Sequence, residues 1–427
     1  MADGVVLRED LQAKIKEIGS ADILIGVPSY NNSKTIGHVI HAVSAGVAKY
    51  FPEAKAVLIN SDGGSVDGTP KIAADSSFDL QSIFVSHRLN TLQRISTPYH
   101  GIPGKGSAFR LIFEVAKALG VKACAVVDSD LRSITPEWIE LLISPILRKG
   151  YEYVAPYYLR HKYDGTITNS IIYPLSRALY GKRIRQPIGG EFGFTGDLAE
   201  YFLTKDVWGT DVARFGIDIW MTTTAITRGS KICQVYLGAK IHDPKDPGAD
   251  LSSMLVQVIG SALSLMEEHA SLWKGVHRSE SVPLFGFQYD VGLEPVNVSV
   301  ERMLKAFHLG LNEFSPMWEG VLSEAVLGDL KKLKPNESTF HIPDPVWVRV
   351  IYDVALAAHR QTMPREHLLK SLTPLYLGRV ASFILEIQRS HHREVEEKIE
   401  SLCQAFEKDK AYLVNQWEPT NDFGEKT

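Results

Sequence analysis

Two carboxylates one residue apart, Asp128 and Asp130, stand at the end of the apolar run Ala123-Cys124-Ala125-Val126-Val127. In an extended segment the side chains at i and i+2 point the same way, so both can face one hard divalent cation or its water shell. Such an ion neutralises a diphosphate. The same Asp-Ser-Asp also suits a polar turn into a helix, because Ser133, Thr135 and Pro136 are helix-start residues. A second group is Gly104-Lys105-Gly106, just ahead of an amphipathic stretch that ends at Leu119. Backbone N–H groups, a helix dipole and an ammonium would converge there on a phosphate or a sugar hydroxyl. A flexible turn with a solvated lysine is the other reading. His242 follows a strand-like run, and its case as a ligand rests on pairing with the two aspartates.

For these residues to meet, the chain must place them at one end of a sheet. An apolar run of strand length in a β/α alternation reads as a central parallel strand, and ligand crevices in open α/β sheets form at the carboxyl ends of such strands. Strands are expected from 22 into the loop at 28–32, then at 56–60, 82–87, 123–127, 153–158 and 232–237. The loop 61–70 is rich in turn residues, and 186–193 is a glycine-rich loop. Helices are expected over 5–19, after a cap at Asn32 or Ser33, over 105–119 and 137–147, from Thr166, and from Phe215 with Asp218 in the first turns. No loop is Gly-x-Gly-x-x-Gly or a P-loop, so the usual dinucleotide and triphosphate fingerprints are absent.

From about residue 250 the pattern turns helical, with apolar faces at Leu368, Leu369, Leu372 and Leu375 and at Val395, Ile399, Leu402 and Phe406. His391, His392 and the charged run 393–400 read as a solvated face. The expected division is an α/β domain over 1–262 and a helical domain over 263–427, the latter packing on the former or on another subunit.

The 427 residues, 44% apolar and 22% charged with a net charge of -4, carry no basic footprint, and nucleic acid is not an expected partner. Cys124, Cys233 and Cys403 are widely spaced and suit a reducing cytoplasm with neither a metal framework nor a disulfide scaffold. Met1–Gly4 lacks a basic, apolar leader, and no run of about 18 apolar residues is evident. A soluble cytoplasmic protein without an integral membrane segment is expected.

Pro28-Ser29-Tyr30-Asn31, Pro103-Gly104-Lys105-Gly106, Val127-Asp128-Ser129-Asp130-Leu131, Gln186-Pro187-Ile188-Gly189-Gly190-Glu191, Gly216-Ile217-Asp218 and His242, in this order, resemble a GT-A glycosyltransferase. More narrowly, residues 20–265 resemble the glucosyl-3-phosphoglycerate synthase and mannosylglycerate synthase families. The resemblance implies a GT-A fold, a Rossmann-like α/β domain with a mostly parallel central sheet, followed by a helical C-terminal domain. It implies metal-dependent, retaining transfer of glucose or mannose from an NDP-sugar to a small acceptor, D-glycerate or 3-phosphoglycerate. Asp130 and His242 would hold the divalent metal, Mg2+ or Mn2+, with Asp128 nearer the ribose or sugar. Pro28, Tyr30, Asn32 and Asp62 would frame the base and ribose, Lys105 would reach the donor, and Glu191 would hydrogen-bond the donor sugar. Thr168, Gly189 and Gly190 would shape the acceptor pocket, and Asp218 would lie near the reacting centre. Glu191, Asp218 and Lys105 are thus the catalytic candidates, and a homo-oligomer is expected.

Two departures stand out. Asn31-Asn32 replaces the Asn-Glu common in the families' first loop. The segment after His242, Asp243-Pro244-Lys245-Asp246-Pro247, lacks their arginine and asparagine, so charge for an acceptor phosphate falls to Lys245, Arg160 or Lys162. With no sure nucleophile, same-face attack is expected, the departing phosphate taking the acceptor proton. The competing readings are transfer to a larger glycoside, lipid or polysaccharide acceptor, a nucleotidylyltransferase, which would want a glycine-rich, arginine-bearing first loop, and a non-catalytic sugar-nucleotide sensor.

Overall fold

Ile23–Ser29 (β1) and Ala56–Asp62 (β2) are buried at every position, as strands covered on both faces must be. The computed structural model that contains them describes residues 7–76, 93–99, 102–242, 251–288, 293–333 and 339–418. The other strands of their sheet are Gln93–Pro98 (β3), Ala123–Val126 (β4), Tyr153–Leu159 (β5), Phe192–Thr195 (β6), Ile232–Ala239 (β7) and Leu284–Phe285 (β8). They form one eight-stranded sheet in the order β8-β7-β5-β6-β4-β1-β2-β3. All pairs are parallel except those of β6, which runs antiparallel to both β4 and β5. Helices Ile36–Tyr50 and Pro136–Lys149 cover one face, where Val39, Val43, Trp138, Ile139 and Leu142 pack on Ile23, Ile25 and Val27.

The fold class expected from the sequence, a mostly parallel α/β sheet with a helical C-terminal region, is the one observed. Details differ. The expected strand 82–87 lies outside the described residues, and the third strand is Gln93–Pro98. The end of the 186–193 loop is β6, whose Phe192 and Phe194 are fully buried; a four-residue run containing a glycine carries too little pattern to read as a strand. Neither Asn32 nor Ser33 caps the second helix. Thr35 occupies the cap position, but its hydroxyl donates to Ser129 O and accepts no bond from the helix N–H groups.

The chain divides into two compact units, and not by one cut at 262. The α/β unit takes residues 1–160, 184–244 and 281–294, and the helical unit takes 161–183, 245–280 and 295–427. The reason lies in Tyr173–Tyr180, a helix whose Tyr173 packs with Val395, Ile399 and Cys403. Its Arg177, 1% exposed, binds Glu400 and Glu407. Among the described residues one helix, Arg365–Ile387, is long and apolar enough to cross a membrane by length and composition, and 78% of its apolar stretch is buried, as in a core helix. Arg379 within it bonds to Ile342 O and Asp344.

Lys410 is buried in the helical unit and donates to Val276 O at 2.6 Å. Burial pulls its pKa down from 10.5 to about 8, with Glu407 working the other way. Below about pH 8 both folded and unfolded chains hold this proton, and between about 8 and 10.5 only the unfolded chain does, so stability rises with pH across that window. Lys410→Met is expected to flatten that rise and to raise urea stability at pH 7 by on the order of 2 kcal/mol. An unchanged pH slope in the variant would assign it to another group.

Candidate active site

The Gly104-Lys105-Gly106 stretch opens the helix Lys105–Leu119. Its glycines serve close packing: a Cβ on Gly106 would lie 1.8 Å from Val212 O. Gly106 N–H donates to Arg214 O and Gly104 N–H to the Tyr99 hydroxyl, so these two N–H groups are not the open anion cradle that the sequence suggested. The packing instead sets the segment 212–216 against the helix start. Asp218, in the first turn of Ile217–Thr227, consequently faces Lys105, and the Nζ–Oδ2 distance is 3.1 Å.

Lys105 also meets Asp128 Oδ1 at 2.9 Å. β4 stops at Val126, two residues before Asp128, so the alternation that would align Asp128 with Asp130 does not reach them. Asp128 turns to the lysines. Its second oxygen lies 3.0 Å from Lys240 Nζ. Lys240 extends the β7 ladder by one bond, N–H to Leu159 O, and its ammonium also donates to Gly189 O at 2.7 Å and to both Glu191 oxygens at 2.9 Å. The result is a chain of alternating charge, Glu191–Lys240–Asp128–Lys105–Asp218. Lys240 escaped the sequence reading; its only signal was a cation at the carboxyl end of a strand, two residues before His242.

Burial opposes the charge on both lysines, but the facing carboxylates outweigh it and hold each ammonium above the ordinary lysine range. Burial likewise opposes the Asp128 charge, yet Lys105 and Lys240 hold its carboxyl well below the usual value. Asp218 is pushed up by burial, against the pull of Lys105. Glu191 is pushed up by burial too, with Lys240 opposing; its equal distances to one ammonium are those of an ion pair. Glu191 is 0% exposed, so in this structure it touches Lys240 and not the opening. Asp218 Oδ1 is buried and has no hydrogen-bond partner among the described residues.

The segments that carry Asp130 and His242 are joined by backbone pairing. Leu131 bridges His242 in antiparallel fashion, Arg132 N–H donates to Ile241 O at 2.9 Å, and Ile241 N–H donates to Ser133 Oγ at 2.9 Å. His242 therefore pairs with the residue next to Asp130, and both Asp130 and His242 are half-buried. Among the described residues, no group of three or more His, Cys, Asp or Glu is arranged to hold a metal ion.

The first two loops are cross-linked. Asn31, Asn32 and Ser33 donate their N–H groups to Ser65 Oγ, Thr69 Oγ1 and Asp67 Oδ2, and Val66 N–H donates to Asn31 Oδ1. Asp62 is buried and accepts from Ser29 Oγ, Gly64 N–H, Ser65 N–H and Ser65 Oγ. Asn32 Oδ1 accepts from Tyr30 N–H and Ser129 Oγ, which ties the first loop to the Asp-Ser-Asp segment. Pro28 is buried in β1, and Tyr30 is 63% exposed. Gly189 and Gly190 lie on the Lys240 side of the charge chain, whereas Thr168 belongs to the helical unit, where it is buried at the start of a π-helical turn.

Residues 69–264 match the family model of the mannosylglycerate synthase GT domain. Over 272 residues the chain is 27% identical to glucosyl-3-phosphoglycerate synthase of Petrotoga mobilis, covering 61% of this chain and 78% of that protein. Over 189 residues it is 30% identical to mannosylglycerate synthase of Selaginella moellendorffii, covering 42% of each. Glucosyl-3-phosphoglycerate synthase from Mycobacterium tuberculosis, solved with Mn2+, UDP and glucosyl-3-phosphoglycerate, superposes with a TM-score of 0.44 at 24% identity, covering 59% of this chain and 83% of that one. The matched family model is that of a GT domain, and the likeness to it and to these relatives supports a glycosyltransferase. Within that class the chain resembles the glucosyl-3-phosphoglycerate synthase and mannosylglycerate synthase families.

Gly190 has φ +97, and a Cβ there would lie 2.2 Å from Asp128 Oδ2. Gly190→Ala is expected to lower kcat/KM by about a hundredfold by displacing Asp128, with circular dichroism unchanged. Wild-type activity in Gly190→Ala would show that Asp128 need not hold this position.

Proposed function

We propose that the chain transfers glucose or mannose from an NDP-sugar to a small glycerate-type acceptor, D-glycerate or 3-phosphoglycerate, with retention of anomeric configuration. The observation that supports this reading is the cluster of alternating charge formed by Asp218, Lys105, Asp128 and Lys240 at the carboxyl ends of the strands, with Lys240 two residues before His242. The likeness to enzymes making glucosyl-3-phosphoglycerate and mannosylglycerate supports the acceptor class.

Asp130 and His242 would hold a divalent cation, Mg2+ or Mn2+. A carboxylate with an imidazole suits either, and two protein ligands leave room for donor oxygens and water. Bound there, the ion neutralises the diphosphate and stabilises the charge left as the sugar–phosphate bond breaks. Lys105, already held between two carboxylates, exchanges one of them for a donor oxygen. Lys240 keeps Asp128 in place, and Asp218 Oδ1 accepts a hydrogen bond from a substrate hydroxyl. The Tyr30 ring, exposed on a loop pinned from several sides, frames the base.

Glu191 is enclosed, with both oxygens on Lys240, and is unsuited to be a nucleophile. The acceptor hydroxyl therefore attacks from the face that the diphosphate leaves, and the departing phosphate takes its proton. The α/β unit would be the catalytic domain.

The test combines purified protein and Mg2+ or Mn2+ with UDP- and GDP-linked glucose and mannose, each against D-glycerate and 3-phosphoglycerate, followed by product mass and anomeric configuration. One pair is expected to give an α-linked product, with kcat/KM at least about a hundredfold lower in Asp130→Ala and His242→Ala. A β-linked product from an α-linked donor would rule out same-face attack, and no product with any pair would rule out the acceptor class.

A further inference from the structure

Behind the Asp-Ser-Asp segment lies a cavity of about 280 Å³, lined by Lys34, Thr35, His38, Leu131 and Arg132. Three of these five side chains are basic and none is a carboxylate. Lys34 and His38 stand four residues apart across the start of the helix Ile36–Tyr50, both exposed. Basic groups converging on one concavity beside the positive end of a helix form an electrostatic well for anions.

The third basic group is already engaged. The Arg132 guanidinium receives Glu294 as a fork, Nη1 to Oε1 at 3.2 Å and Nη2 to Oε2 at 2.5 Å, and Nη2 also donates to His242 O. This two-pronged geometry is the one by which arginine recognises carboxylate and phosphate oxygens. Glu294 is not among the residues lining the cavity; it holds Arg132 from outside, as an internal anion. The pair is open to water, Arg132 39% and Glu294 54% exposed, so the contact is weak and exchangeable.

We propose that this cavity binds a phosphate group, free or as the end of a phosphomonoester, through Lys34, His38 and Arg132, in competition with Glu294. The site goes beyond the transfer reaction and does not depend on it. It abuts that chemistry through two contacts: Thr35 Oγ1 donates to Ser129 O, and Arg132 holds the His242 carbonyl.

The test is a calorimetric titration of the full chain with inorganic phosphate, and separately with methyl phosphate, at an ionic strength fixed with sodium chloride. Saturable binding is expected, weakened about tenfold by Lys34→Ala or His38→Ala. Glu294→Gln, which removes the competitor's charge, is expected to tighten it about threefold. Lys105→Ala, in the other anion-facing cluster, is expected to leave it unchanged. Binding of both probes assigns the site to phosphate groups in general, and binding of inorganic phosphate alone assigns it to the free ion. Absence of saturable binding would overturn the proposal. So would binding that Lys105→Ala abolishes and Lys34→Ala leaves intact, because the phosphate would then occupy the donor side. The transferase reading stands or falls separately, on the product assay.

Discussion

Burying charge is expensive, and the α/β unit gathers five charged side chains in one place, Glu191, Asp218 and Lys240 buried and Lys105 and Asp128 half-buried. Taking an ammonium or a carboxylate out of water costs several kcal/mol per ion, and only close opposite charges with well-placed hydrogen bonds return it. Alternation from Glu191 through Lys240, Asp128 and Lys105 to Asp218 meets that condition, since each lysine touches two carboxylate residues. Three carboxylates against two ammoniums leave the cluster short of one positive charge. Its outermost unpaired oxygen, Asp218 Oδ1, marks where a hydrogen-bond donor is still wanted.

Most of the surrounding structure serves to keep these five groups in register. Glycines at the start of the Lys105 helix let Asp218 approach, the last bond of the β7 ladder aims Lys240 inward, and Gly190 leaves the space that Asp128 occupies. The first two loops are held by side chains and not by a ladder, and their internal bonds fix the Tyr30 side before any substrate arrives. Pre-ordering of this kind spares binding the entropy of arranging a loop.

The parallel strands β1, β2, β4, β5 and β7 were legible because a strand buried on both faces is a continuous apolar run. In contrast β3, mostly polar, and β8, two residues long, carry no such run. β6 was not legible either, since four residues with a glycine inside cannot be told from a loop. Motif residues were legible as residue types, but their partners were not. Nothing local reveals that Glu191 spends both oxygens on Lys240, because that contact joins residues 49 positions apart. The Gly-Lys-Gly stretch misled for a related reason: its N–H groups are free in a peptide and are taken by Arg214 and Tyr99 only once distant segments arrive. The unit boundary was hidden likewise, as Tyr173–Tyr180 shows its allegiance through residues 395–407, more than 200 positions on.

That allegiance bears on how such a chain can change over evolutionary time. Because residues 161–183 leave the α/β unit midway between β5 and β6 to complete the helical one, the helical unit is no detachable appendage. Shortening the gene at its 3′ end would strip Arg177 of both its carboxylates and take away the apolar residues that pack on Tyr173. Exchange of whole modules between relatives would meet the same obstacle, so the two units are expected to be inherited, lost and duplicated together.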